Sequence, residues 1–240
     1  MSHGRAAGTA ALALVADPQE RLTAFYDRRA TEAPPIDPEA ALRFRKAAAA
    51  AQLRDGERVL DLGAKAGGLA EHLRAAGIAV QYTGLDLSEQ NVQRAADRGI
   101  DVRQADLSRG IPADDGEYDC VFCLELLEHL PAPLALLCEI RRVLAPEGRA
   151  LLSAPNPYNW IELYRELRRR PDPEGHLVSL PTPIMVNALA LAGLTLERRM
   201  GTHVRLPRTV RLLPTDSILA RSWIYVARPQ DACPFAGRAI

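Results

Sequence analysis

The chain has 240 residues, 48% of them apolar and 25% charged, with 30 basic and 30 acidic side chains in balance. At this length about 70% of the surface can be buried, enough for one sizeable core. The ordinary composition excludes a disordered chain. Zero net charge argues against a general nucleic-acid binder, and no apolar run reaches the roughly 18 residues of a membrane span.

Residues 1–17 read as a flexible leader. Ala6 to Ala16 is apolar and follows His3 and Arg5, but it lacks the small-x-small end of a secretory signal. Residues 18–54 read as N-terminal cap helices. A helical pattern from Pro18 to Arg29 places Leu22, Phe25 and Tyr26 on one face. After the Pro34–Pro38 break, Asp37 is placed to cap a second helix that Pro38 opens and that runs to about Arg54.

Residues 55–228 then alternate between strands and helices. The pattern predicts a strand at Val59–Leu62 and a helix at Ala66–Ala76. A strand at Val80–Leu87 and a helix capped by Ser88 come next. Further strands fall at Asp101–Asp106, Tyr118–Leu124 and Gly148–Ala154, with a helix through Leu144 between the last two. Helices at Trp160–Arg169 and Thr182–Leu191 and strands at Leu194–Met200 and Trp223–Ala227 complete the domain, leaving residues 229–240 as a tail. Such alternation means a parallel, doubly wound α/β sheet. The four cysteines are too few for a disulfide scaffold. Cys120 and Cys123 lie three apart on a strand, so their thiols point to opposite faces and read as buried and reduced.

The loop Asp61-Leu62-Gly63-Ala64-Lys65-Ala66-Gly67-Gly68 joins the first strand to its helix. Glycines there let the backbone approach a ligand, and a helix N-terminus favours negative charge; a plain strand-to-helix turn is the simpler alternative. Asp86 ends the second strand, 25 residues after Asp61, where an acid binds ribose hydroxyls in Rossmann-type sheets. Asp106-Leu107 ends the third, where a carboxylate can accept from an adenine amine. Three acids at strand carboxyl ends share one crevice, where open α/β sheets bind ligands.

Glu125-Leu126-Leu127-Glu128-His129 follows the fourth strand and is predicted to open a helix. Glu125, Glu128 and His129 would then share one face at i, i+3 and i+4. Two carboxylates and an imidazole suit Mg²⁺ or Mn²⁺, with His176 as a fourth group. Without a metal, His129 or His176 can act as general base, which makes Glu125, His129 and His176 the candidate catalytic residues. The plainer alternative is that the glutamates answer the helix dipole and the histidines brace loops. Near the same crevice, Asn156, Tyr158, Asn159 and Trp160 offer acceptor contacts or merely lead into a helix. Basic residues prevail from Arg165 to Arg211, which suits an anionic acceptor or a solvated face, and Arg205–Pro214 reads as a pocket cover.

Taken together, Val59-Leu60-Asp61-Leu62-Gly63, Tyr82–Ser88, Ala105-Asp106-Leu107, Glu117-Tyr118-Asp119 and Leu127-Glu128-His129-Leu130 resemble class I S-adenosylmethionine-dependent methyltransferases. The resemblance implies a Rossmann-like, doubly wound seven-stranded sheet whose last strand is antiparallel. It implies Asp61, Gly63 and Gly67 around the methionine part, Asp86 on ribose and Asp106 near adenine. Ala64, Lys65, Leu87, Leu107 and Leu124 would also line the cofactor. A nicotinamide dehydrogenase is the rival for such a loop, but an acid within the first strand fits the methyltransferase pattern better. Lys65 stands where that pattern has a glycine, and either moves the loop off the cofactor or pairs with the cofactor carboxylate.

The Glu-x-x-Glu-His run with a later histidine is similar to small-RNA 2′-O-methyltransferases, and a similar run occurs in 3-demethylubiquinone O-methyltransferases. Ser153 to Arg199 resembles the methionine biosynthesis protein W family. The expectation is a cytoplasmic S-adenosylmethionine-dependent methyltransferase, monomer or homodimer, that methylates oxygen on a small-molecule, lipid or glycan-precursor acceptor. The alternatives are an RNA 2′-O-methyltransferase and a methyltransferase-like protein that binds and regulates a partner.

Overall fold

The computed structural model describes residues 21, 23–28, 38–170, 172, 174–206, 209–211 and 217–230; of residues 205, 206 and 209–211 it describes the backbone alone. The expected leader, the Asp37 cap, Leu22 and most of the tail lie outside the described residues, as do the side chains of the expected cover Arg205–Pro214.

A short helix, α1 (residues 23–28), and the longer α2 (Pro38–Ala51) precede the sheet. The alternating segment then runs β1 (Arg58–Leu62), α3 (Gly68–Ala75), β2 (Gln81–Asp86), α4 (Glu89–Ala96), β3 (Val102–Gln104), β4 (Tyr118–Leu124), α5 (Pro133–Val143) and β5 (Leu144–Pro155). After it come α6 (Trp160–Leu167), α7 (Thr182–Leu191), β6 (Leu194–Gly201), a small hairpin of β7 (Val204–Leu206) and β8 (Thr209–Arg211), and β9 (Ser222–Pro229). Seven strands form one sheet in the order β3-β2-β1-β4-β5-β9-β6. Strands β1 to β5 are parallel, and β9 pairs antiparallel with both β5 and β6. The order reverses between β1 and β4, which opens a crevice beyond their carboxyl ends.

The central strands read as continuous apolar runs because both of their faces are covered. Leu60, Leu62, Val121 and Cys123 pack on one side with Leu136, Leu137 and Ile140 of α5 and Met185 and Leu189 of α7. Val59, Cys120 and Phe122 pack on the other with Ala47 and Ala51 of α2 and Leu69 and Leu73 of α3. The two thiols therefore face opposite layers; both are free and fully buried, and burial pushes Cys120 up to about 12. Arg149 of β5 closes the last turn of α2 by donating to the Ala51 carbonyl and pairs with Glu57 at 2.6 Å.

Local chemistry explains where elements begin. Ser88 caps α4, its hydroxyl accepting from the Asn91 N–H, and Asn159 caps α6 by accepting from Ile161 and Glu162. Helix α3 starts at Gly68 rather than Ala66 because Gly67, at φ +80°, is left-handed. The helix expected from Glu125 does not form there. Glu125 has φ +54°, Leu127–His129 make one 3₁₀ turn, and α5 waits until Pro133. Pro131 holds Leu130 extended (ψ 141°), so a helix cannot run through it. Pro133 then suits the first turn of a new helix.

Candidate active site

The crevice is built from strand ends. Asp61 is the next-to-last residue of β1, is 4% exposed, and accepts the Tyr82 hydroxyl on Oδ2 at 2.7 Å. Burial raises its carboxyl to about 7; the Tyr82 hydrogen bond opposes the rise and neighbouring Asp86 adds to it. The loop after it folds back on β2, with the Gly63 and Ala64 N–H groups both donating to the Leu85 carbonyl. Its conformation depends on glycine: Gly63 and Gly67 have φ of +71° and +80°, and a Cβ on Gly67 would lie 2.8 Å from Ile100. Lys65 keeps the turn that a glycine would make. It adopts φ +50°, its side chain is exposed, and its N–H donates to Asp86 Oδ2 at 2.8 Å. The loop therefore stays against the end of β2 despite the bulkier residue.

Asp86 also accepts from the Ser88 N–H and the Asn91 amide on Oδ1, both at 3.0 Å. Three donors thus fix one carboxylate at the head of the crevice. Leu87 follows it, its carbonyl accepting from Gln104. Asp106 sits past β3, accepts from the Ser108 N–H and hydroxyl, and pairs with Arg109 at 3.1 Å. Leu107 and Leu124 are buried. All the residues expected around a cofactor lie at the carboxyl ends of β1 to β4.

The other side of the crevice is arranged differently from the sequence expectation. Glu128, His129 and His176 come together, with one ligating atom of each within 4.8 Å of the others. What joins them is backbone pairing, since the Leu177 and Val178 N–H groups donate to the Glu128 carbonyl and draw His176 over the 3₁₀ turn. The imidazoles lie 4.8 Å apart between centroids, and Tyr26 of α1 meets His129 edge-on at 5.5 Å. Glu128 is 1% exposed, and among the described residues neither carboxylate oxygen has a hydrogen-bond partner; nor does His129 Nδ1. Burial and the nearby Glu125 push Glu128 well above the usual carboxylate range. Burial and His176 lower His129 to about 4, so it is neutral at pH 7.

Glu125 does not join this cluster, which corrects its expected place on a shared helical face. Its oxygens accept the hydroxyls of Ser153 at 2.9 Å and Ser222 at 3.1 Å, with Arg43 of α2 at 3.8 Å. With a left-handed backbone, Glu125 places its carboxylate against Ser153 of β5 and Ser222 of β9. Asn156 and Asn159 are buried and spend their amides on backbone carbonyls of residues 156, 218, 220 and 221, so they brace a loop. Sequence reasoning missed Asp172, whose Oδ2 lies 2.7 Å from His176 Nδ1, and Arg221, which joins Glu162 at 2.7 Å to Glu174 at 2.9 Å. The i, i+4 spacing of Asp172 and His176 was the available signal. Nothing local marks Arg43, Ser153 or Ser222, because the fold brings them from three separate elements.

A methyltransferase-domain family profile matches residues 35–198. Ubiquinone biosynthesis O-methyltransferase of Bordetella pertussis is 34% identical over 107 residues, covering 42% of this chain and 44% of that protein. The Acinetobacter baumannii (strain AYE) protein of the same name is 29% identical over 163 residues, covering 62% and 68%. The chain thus spans less than half the length of the Bordetella relative. Among solved structures, a complex of the Haloferax volcanii Trm112 methyltransferase activator with a methyltransferase superposes with a TM-score of 0.70 at 18% identity, over 88% of this chain and 98% of that one. The [4+2]-cyclase SpnF superposes at 0.67 and 18% identity, over 90% and 98%. At such identities these two establish the fold alone. The fold, the strand-end acids and the family match together place this chain in the class I S-adenosylmethionine-dependent methyltransferase family. The cofactor that the family implies is S-adenosylmethionine.

Proposed function

We propose that the protein transfers a methyl group from S-adenosylmethionine to an oxygen of a small-molecule, lipid or glycan-precursor acceptor. The observation that carries this reading is the juxtaposition of the strand-end crevice with Glu128, His129 and His176. In this reading Gly63, Ala64, Lys65 and Gly67 wrap the methionine part beside Asp61. Asp86 holds the ribose hydroxyls, and Asp106 lies near the adenine amine. Leu87, Leu107 and Leu124 line the base and ribose.

S-adenosylmethionine carries an already activated methyl group, so the protein's task is to orient an acceptor and accept its proton. His176 suits that role. Asp172 accepts at its Nδ1, which fixes the tautomer and leaves Nε2 turned toward Glu128 and His129. His129, neutral at pH 7, shapes the acceptor side together with Tyr26. Glu125, tied to Ser153 and Ser222, positions the turn that carries Glu128.

A specific observation favours adding a divalent ion such as Mg²⁺ or Mn²⁺. Two buried carboxylate oxygens of Glu128 and Nδ1 of His129 lack hydrogen-bond partners among the described residues, which is costly unless something satisfies them. Glu128, His129 and His176 would hold the ion, and an ion bound there lowers the pKa of an acceptor hydroxyl.

Calorimetric titration with S-adenosylhomocysteine tests the cofactor reading: micromolar binding that Asp86→Ala removes supports it. Absence of binding by the natural protein would turn the reading toward a partner-binding methyltransferase-like protein. Methyl transfer that survives chelation, with no heat on Mg²⁺ or Mn²⁺ titration, would remove the ion and leave His176 as base.

A further inference from the structure

We propose that α6 and the arginines after it dock the protein on anionic lipid bilayers. Helix α6 is amphipathic but inverted. Its polar side faces the protein, where Glu162 accepts from Arg221 and Arg165 at 2.7 and 2.9 Å. Its apolar side faces outward: Leu163, Tyr164 and Leu167 are 48%, 44% and 84% exposed, and no residue of the helix is buried. These positions recur at i, i+1 and i+4, with Trp160 one turn earlier on the same side. Folding of this chain gains little from that stripe, since burial of apolar area is what stabilises such a face.

Charge selects the occupant. Arg168, Arg169 and Arg170 follow the helix directly, and all three are exposed. The guanidinium groups of Arg168 and Arg170 lie 5.5 and 6.0 Å from the Tyr164 ring centroid, which sets cations beside the aromatic edge of the stripe. Apolar and aromatic side chains bordered by arginines match the acyl–headgroup boundary of an anionic leaflet. A symmetric contact between two copies would set this arginine run near its own image. The exposed Ile218–Leu219 turn broadens the face, because the Ile218 carbonyl accepts from Asn156 in the loop that leads into α6.

The surface is tied rigidly to the acceptor side. Arg221 links Glu162 of α6 to Glu174, and Glu174 Oε2 lies 3.5 Å from His176 Nε2. The docking itself stands apart from the transfer chemistry.

Cosedimentation with phosphatidylcholine vesicles, with and without phosphatidylglycerol, tests the proposal. The expected result is binding only when phosphatidylglycerol is present, weakening as salt rises. Replacing Arg168, Arg169 and Arg170 with alanine should weaken it by roughly a hundredfold. Leu163→Ser with Leu167→Ser should abolish it. Thermal melts and S-adenosylhomocysteine titration of each variant report folding and the cofactor site separately. No binding to anionic vesicles, or binding indifferent to both sets of substitutions, would overturn the proposal. So would a serine variant that turns a dimer into a monomer by gel filtration while vesicle binding is retained, since the stripe would then be a self-association face.

Discussion

The two sides of the crevice solve opposite problems. On the β1–β3 side every acid named has internal donors: Tyr82 serves Asp61, three N–H groups serve Asp86, and Ser108 serves Asp106. On the β4–β5 side, Glu128 is as buried as the core leucines, yet among the described residues neither of its oxygens has a donor, and His129 Nδ1 has no partner. The first side is organised in advance by its own backbone. The second leaves buried polar groups without such donors. The contrast teaches that acids can be fixed by donors close to them, whereas the β4–β5 side holds unsatisfied groups at a cost in stability.

That comparison can be broken or sharpened at four residues. The largest effect is expected at Asp61. A rise from an ordinary 3.8 to about 7 means the folded state binds the proton more tightly, so this residue's contribution to stability falls as pH rises from about 4 to about 7. The full range corresponds to about 4 kcal/mol. Asp61→Asn should match the natural protein near pH 4 and gain on it progressively up to pH 7, as read from denaturant melts across that range. A difference that does not change with pH would show that Asp61 is not held protonated by burial.

Next is Asp86→Ala, which orphans three N–H groups and should cost about 3 kcal/mol by denaturant melting as well as cofactor binding. If stability is unchanged, the β1–β3 side is not pre-organised by this carboxylate. On the other side the sign should reverse. Because burial holds Glu128 well above the usual carboxylate range, Glu128→Gln should gain on the natural protein as pH rises, by up to about 2 kcal/mol once the natural carboxyl ionises, while methyl transfer falls by about a hundredfold. A destabilised Glu128→Gln would mean the carboxylate already has a partner. The smallest effect is at Lys65, whose left-handed backbone costs about 1 kcal/mol. Lys65→Gly should recover that amount, seen as a higher melting temperature with unchanged or tighter S-adenosylhomocysteine binding.

The sequence read the sheet well because each part of that pattern is local. Tyr118–Leu124 and Thr182–Leu191 have the bounds that apolar runs and flanking turn residues predict. The Ser88 cap, the opposed cysteines and the strand-end acids follow from short-range rules of period and capping. Where the reading failed, at Glu125–His129, helical spacing was inferred from three residues, while Pro131 and Pro133 dictated a break two residues on. The inversion of α6 was also out of reach. Its pattern says only that one face is apolar, and nothing in it says that the polar face would turn inward to meet Arg221.

By itself, the sequence determined the alternating α/β order, the glycine turn and the crevice acids, since these depend on residues a few positions apart. The tertiary structure alone decided that His176 lies over His129 and that Glu125 meets Ser153 and Ser222. The Glu125 and His176 contacts join residues 28 to 97 positions apart, or close through backbone bonds from Leu177 and Val178 to Glu128. They exist only once the sheet has closed and brought those segments together.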